Sequence, residues 1–343
     1  MKKAKKQSIK GIAEKLNISV TTVSFVLNGK AKEKKISDEM IKKVKAYVKE
    51  INYKPNQLAQ SLRTGESKII VFMVEDISNY FFASIARKIE DLAYDKGYKV
   101  LFCSNENKDL KSRELIKLFK ERQVDGYILS PSPGIKEDIQ ELMDEEKPVI
   151  LFDRYFPDLN TNYVGIDNDN DSYNAALHLI ENGYKKIGFV TLNTGQTQMV
   201  ARKKGYQRAV KNHDLPEKIL EIEFEAGYYD HQKELIKDYI FSEDLDSIYF
   251  STNYLTQSGL EVFKENSPEL IDKFGILTFD DHDFFKIHTP SISAISQPRE
   301  EMATELMTLM LNLLDKKNSN PEPRKIIIKS TLHARNSTIR KNR

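Results

Sequence analysis

From Lys68 onward, short apolar runs alternate with amphipathic stretches, and few folds can absorb that rhythm. KIIVFMVE (68–75), YKVLFCS (98–104), VDGYILS (124–130) and KPVILFD (147–153) read as strands. Helical stretches from Phe81 to Lys96, Leu110 to Arg122 and Ile135 to Glu146 separate them. The pattern resumes with YVGID (163–167), KKIGFVT (185–191), DSIYFST (246–252), KFGILTFD (273–280) and KIIIKS (325–330), again interleaved with helices. Strands that are apolar on both faces, each followed by a helix, require parallel sheets covered on both sides. The span suits two doubly wound lobes rather than one. In such sheets a ligand binds beyond the carboxyl ends of the strands, here in the cleft between lobes.

The first sixty-odd residues follow different rules. Residues 1–66 hold 16 Lys+Arg against 6 Asp+Glu, a net +10; the totals of 53 and 51 leave 37 against 45, or −8, for the rest. A basic module joined to an acidic body points to a polyanionic partner for the module alone, although a solubilising lysine-rich tail would give the same count. The pattern SIKGIAEKLNISVTTVSFVLNG (8–29) is more specific. Ser8 can cap a helix whose Ile9, Ile12, Ala13 and Leu16 share a face. LNIS (16–19) breaks it, and Ser19 can cap a second helix from Val20 to about Leu27, with Val23, Val26 and Leu27 inward and Asn28-Gly29 at its end. A third helix follows Ser37, with Met40, Ile41, Val44, Val48 and Ile51 at helical spacing.

Two short helices, a tight turn and a third helix that buries their apolar faces form a helix-turn-helix, whose second helix enters the DNA major groove. Val20, Thr21 and Phe25 on that helix would meet base edges. Thr22 and Ser24 suit phosphates or capping, and Ser19 and Asn28 complete the contact set at its two ends. Lysines 30–35 would add salt-sensitive, sequence-independent affinity. The segment KPNQLAQSLRTGES (54–67) has helical leucine spacing but is too short to be a stable helix alone.

The same reading excludes several classes. No G-x-G-x-x-G follows a strand, and neither a P-loop nor a G-x-S-x-G elbow is present, so no catalytic residues and no cofactor are expected. The six histidines lack metal spacing. FDDHDFF (279–285) could bind a metal, hydrogen-bond a ligand through Asp280 or be a solvated loop; the second reading is preferred. Cys103, the single cysteine, reads as a small buried hydrophobe. No apolar run reaches the roughly eighteen residues a membrane helix needs, and the basic N-terminus lacks a signal's apolar core. A cytoplasmic location, with no membrane partner, is expected.

IKGIAEKLNISVTTVSFVLNGK (9–30) and ISDEMIKKVKAYVKEINYKPNQLAQSLRTGES (36–67) resemble the headpiece and hinge of the lactose-repressor/galactose-repressor (LacI/GalR) family of bacterial transcription regulators. The body resembles that family's effector domain, similar in fold to periplasmic sugar-binding proteins. The fold implied is an all-α helix-turn-helix headpiece (1–53), a hinge helix and linker (54–67), and a two-lobed α/β periplasmic-binding-protein-like domain of doubly wound parallel sheets (68–343). The resemblance implies double-stranded operator DNA and a small effector, a saccharide or sugar derivative, as partners of a homodimeric repressor under allosteric control. It makes Leu58, Ala59 and Leu62 the hinge's DNA contacts, with Leu62 as the minor-groove wedge.

In the body it assigns Asp76, Phe81 and Phe82 to ligand contact after the first strand, and Asp153 and Arg154 to a strand end facing the cleft. Arg202, Gly205 and Tyr206 match the family's R-x-x-G-Y element, with Arg202 gripping the ligand and Gln196 as a further polar contact. Asn253, Gly259 and Asp280 complete the pattern. Arg202 and Asp153 could instead form structural ion pairs, and Phe81 and Phe82 could be core. Two residues depart from the family: Phe25 where Arg is usual, and Tyr254 where Asp is usual. The loop GKAKEKKI (29–36) is also longer than usual, and no leucine-rich tetramerisation tail is expected after KIIIKS (325–330).

Overall fold

A computed structural model describes residues 8–53, 65–223, 229–315 and 322–340. The chain divides into two units between Ser67 and Lys68. In the first unit each helix begins on a serine whose hydroxyl accepts a backbone N–H of the first turn. Ser8 serves α1 (Ile9–Leu16) at 3.2 Å from Gly11, Ser19 serves α2 (Val20–Leu27) at 3.0 Å from Thr22, and Ser37 serves α3 (Asp38–Glu50) at 3.3 Å from Met40. Asn17 ends α1 in the left-handed region, at φ 54°, which turns the chain sharply into α2. Ile12, Ala13, Val23, Val26, Ala31 and Val44 are buried at the centre, the faces that the helical spacing requires.

The second unit runs β1 (Ile69–Val74), α4 (Tyr80–Asp95), β2 (Lys99–Ser104), α5 (Asp109–Glu121), β3 (Gly126–Leu129), α6 (Lys136–Asp144), β4 (Val149–Phe152) and β5 (Asn162–Ile166). It continues with α7 (Asn168–Glu181), β6 (Ile187–Leu192), α8 (Thr197–Asn212), β7 (Lys218–Ile222), α9 (Tyr229–Ser242), β8 (Ser247–Phe250) and α10 (Asn253–Asn266). Last come β9 (Gly275–Phe279), α11 (Asp283–Ile287), β10 (Ser293–Ser296), α12 (Arg299–Leu314), β11 (Lys325–Ile328) and β12 (Thr331–His333).

One sheet has the order β11-β5-β4-β3-β1-β2, all parallel; the other has β12-β10-β9-β8-β6-β7, parallel except for β12. The two sheets repeat one topology, so β4 and β9 occupy equivalent places. The chain passes between lobes three times: α7 leaves β5 to pack on α8, α12 leaves β10 to pack on α4, and β11 leads into β12. Strands β7, β10 and β12 were not visible as apolar runs: KILEI and TLH lie at sheet edges, and SAIS is small and polar. Arg335, beyond β12, holds buried Asp281 with two hydrogen bonds of 2.8 and 2.6 Å and so pins the C-terminal segment to the second lobe. Among the described residues no helix is long and apolar enough to cross a membrane.

Gly205 lies where α8 crosses α7. A Cβ there would fall 2.2 Å from the Asp169 carbonyl oxygen and 2.9 Å from the Ser172 Cβ. The glycine is a packing requirement, because backbone cannot yield as a flexible side chain does. Gly205→Ala should destabilise the body by about 1–3 kcal/mol, read as a lower urea midpoint; an unchanged midpoint would refute the close-approach argument.

Candidate functional site

On the first unit, α2 presents Val20, 46% exposed, and exposed Thr21. Phe25 is half-buried, and the Lys34 ammonium from the long loop lies 5.8 Å from its ring centroid. Ser19 is the helix cap and also shares a 2.8 Å hydrogen bond with Thr22 Oγ1. Asn28 Nδ2 donates to the Ser24 carbonyl at 2.7 Å and to its hydroxyl at 3.2 Å. The side chains of Ser19, Thr22, Ser24 and Asn28 therefore make hydrogen bonds within α2 and at its ends, while Val20 and Thr21 are exposed and Phe25 is half-buried beside them. Leu58, Ala59 and Leu62 lie outside the described residues.

In the body, the strand ends of the two sheets bring charges together. Asp153 follows β4 and Asp280 follows β9, both in the left-handed region at φ 66° and 70°. Arg154 is 2% exposed; its Nε donates to Ser130 Oγ and its Nη2 to Glu75 Oε2, each at 2.9 Å. Arg202 is 1% exposed; its Nε donates to Asn168 Oδ1 at 2.8 Å, and its Nη1 to the Ser251 carbonyl at 2.7 Å and Asp280 Oδ2 at 3.4 Å. The Arg202 guanidinium stacks 3.6 Å from the Phe279 ring centroid, and Gln297 Nε2 donates to Asp280 Oδ1 at 2.6 Å. The Asn168 amide oxygen, the Ser251 carbonyl and the Phe279 ring thus hold the Arg202 guanidinium alongside Asp280.

The compensation is incomplete. Burial pushes the Asp153 carboxyl up to about 6; Arg154 and Arg202 pull it down, while Asp280 and Glu75 push it further up. Arg154 Nη1 and Gln198 Oε1 are buried without a hydrogen-bond partner. Burial raises the Tyr254 phenol well above its ordinary value, and so does the Glu75 carboxylate from the other lobe. Two hydrogen bonds also cross between lobes: the Tyr155 N–H donates to Thr197 Oγ1 at 3.2 Å, and the Tyr80 hydroxyl to Asp283 Oδ2 at 2.8 Å. Such a set of donors and acceptors can hold the adjacent hydroxyls of a polar ligand.

Of the residues expected here, Asp153, Arg154, Arg202 and Asp280 converge, and buried Asn253 opens α10 nearby. Gln196 is half-buried before α8 and accepts from Gln198 Nε2 at 3.2 Å. Asp76 is exposed, its carboxylate occupied by the N–H of Ser78 at 2.9 Å and the Ser78 hydroxyl at 2.8 Å. Phe81 and Phe82 are each 6% exposed and pack in the core, with Phe82 edge-on to Phe152 at 5.9 Å. The core alternative describes their packing in this structure. Sequence reasoning missed Glu75, Ser130, Asn168, Gln198 and Gln297. Glu75 at the end of β1 could have been found by the strand-end rule that picked Asp153; the others carry no motif.

The description "Bacterial regulatory proteins, lacI family" matches residues 8–56, and "Periplasmic binding protein-like domain" matches residues 176–338. The sucrose operon repressor of Lactococcus lactis subsp. lactis is 30% identical over 311 residues, covering 90% of this chain and 94% of the relative. The HTH-type transcriptional regulator RegA of Clostridium saccharobutylicum is 29% identical over 340 residues, covering 97% of this chain and 99% of RegA. Among solved structures, a LacI family transcriptional regulator from Enterococcus faecium with bound ribose superposes with a TM-score of 0.71 at 21% identity, covering 80% of this chain and 100% of that one.

Asp153 also makes stability depend on pH. Its folded-state pKa lies above its ordinary value of 3.8, so the folded chain keeps a proton that the unfolded chain has lost. Its contribution to stability therefore falls as pH rises from about 4 to about 6, by up to roughly 3 kcal/mol. Asp153→Asn should match the parent in urea unfolding near pH 4 and exceed it near pH 7.5; an equal difference at both pH values would contradict this.

Proposed function

The chain belongs to the LacI family of bacterial regulatory proteins, ligand-regulated repressors that bind DNA, and from that premise we propose that its effector is a saccharide held at the charge cluster between the lobes. The observation that carries this reading is one chain combining a basic helix-turn-helix with a buried, incompletely paired set of Arg, Asp and Gln groups between two lobes. The sucrose operon repressor and the ribose-bound regulator among its relatives support a sugar as the ligand class. The protein acts in the cytoplasm, catalyses no reaction and needs no cofactor.

Val20, Thr21 and Phe25 read base edges, and Lys30, Lys32, Lys34 and Lys35 contact phosphates. Phe25 cannot fork onto a guanine as arginine does; it contacts a thymine methyl instead. Leu62, flanked by Leu58 and Ala59, enters the minor groove at the operator centre. The functional unit is a homodimer joined through the bodies and matched to a near-palindromic operator. The edge strand β2 supports this, since its Leu101 and Phe102 are 38% and 36% exposed, an apolar edge suited to cover by a second copy. Asp153, Arg154, Gln196, Arg202, Asn253 and Asp280 hold the effector, which favours one relation of the lobes and so sets the spacing of the two headpieces.

Two tests follow from these roles. A fragment of residues 68–343 should bind no operator DNA in an anisotropy titration; retained operator affinity would refute the headpiece assignment. Phe25→Arg should move preference at one base pair toward G·C by about 1–3 kcal/mol in selection from randomised operators, and an unchanged preference would remove Phe25 from the reading face.

A further inference from the structure

Beside the charge cluster lies a cavity of about 1,060 Å3 that shares only Asn253 with the effector residues assigned above. It begins at Asn253 and Tyr254, which open α10 at the cleft, and runs outward between α10 and α11. Lobe one closes its near side with Ser78, Asn79 and Tyr80, so an occupant would touch both lobes. Small-ligand sites begin at about 300 Å3, so one sugar ring would leave most of this volume to water.

Its walls mix aromatic, amide and charged groups. The rings of Tyr254, His282 and Phe284 line it, and Phe284 remains 45% exposed. Asn79, Gln257 and Lys264 line it as well, and Gln257 Nε2 donates to Glu261 Oε1 at 3.2 Å. Glu261 and Asp272 also line the wall, so its formal charges are of both signs and do not favour a strongly charged ligand. Rings and amides lining one cavity suit a pyranose chain, whose C–H faces pack on rings while its hydroxyls hydrogen-bond at the edges.

We propose that this cavity is a second sugar subsite continuous with the cleft, so that the effector is an uncharged saccharide of two or more rings. The proposal rests on the cleft being the saccharide site. One ring occupies the charge cluster, and the next lies along Tyr254 and Phe284 with its hydroxyls toward Asn79 and Gln257. The near wall includes Tyr80, whose hydroxyl bonds Asp283 and whose ring lies 4.2 Å from that of His282. The outer ring therefore rests on an existing contact between lobes, and a longer saccharide has more influence on lobe geometry than a single ring.

The test is isothermal titration calorimetry of the full chain against a panel of pentoses, hexoses and their linear oligomers of one to four rings. Affinity should rise at least tenfold from one ring to two in one linkage series. Phe284→Ala and Gln257→Ala should each remove that increment while single-ring affinity and the sedimentation coefficient stay unchanged. Affinity independent of chain length would overturn the subsite while leaving the cleft reading intact. A Phe284→Ala change in sedimentation with the increment preserved would also overturn it and make the cavity a surface between copies. Absence of binding by every glycan would overturn the cleft reading, and the subsite with it.

Discussion

Charges that two lobes bury together govern how this protein can behave. Glu75 and Arg154 come from one sheet's strand ends, and Arg202 and Asp280 from the other lobe, with Asp153 feeling all four. An unpaired buried charge costs several kcal/mol, so the arginines are fixed by hydrogen bonds they donate to carboxylate, carbonyl, amide and hydroxyl oxygens. Burial raises the Asp153 carboxyl above its ordinary range despite Arg154 and Arg202 beside it. Its position, with the unpartnered Arg154 Nη1 and Gln198 Oε1, leaves the closed cluster short of full satisfaction. A polar ligand can make good that deficit in one arrangement of the lobes better than in another, which is the thermodynamic requirement for a switch.

Much of the frame was legible in the sequence because it follows from periodicity. IIVFMV in β1 is apolar at every position and is buried along almost its whole length. The three serine caps and the inward faces of the short helices follow the spacing of Ile12, Val23 and Val44. What escaped was non-periodic or tertiary. SAIS in β10 has no apolar run to announce it, although three of its four residues are fully enclosed. Glu75 lies 79 residues from Arg154, and Gln297 lies 17 from Asp280, distances over which no spacing rule acts. Phe81 and Phe82 stand at the start of a helix next to the cleft, where chain position alone cannot distinguish ligand from core; in the structure both are buried, Phe82 against Phe152 and Phe81 against Phe82.

The two units divide the physical work. The basic first unit supplies an electrostatic term that any duplex would satisfy and a short reading face that only some sequences satisfy. Four polar side chains on α2 and its ends also hydrogen-bond within the helix, which fixes their orientation. The body carries a net negative charge and has little attraction for a phosphate backbone, so the two binding events do not compete for one surface. In the proposed dimer, communication between them runs through subunit spacing, to which a modest free-energy difference between lobe arrangements is sufficient.

Reciprocity tests this account most directly. With the full chain, the operator dissociation constant is measured by anisotropy with and without a saturating saccharide, and the saccharide dissociation constant by calorimetry with and without operator. The account predicts that both change by the same factor, at least about fivefold, because one lobe equilibrium links the two sites. Saccharide affinity that is identical with and without operator would contradict it.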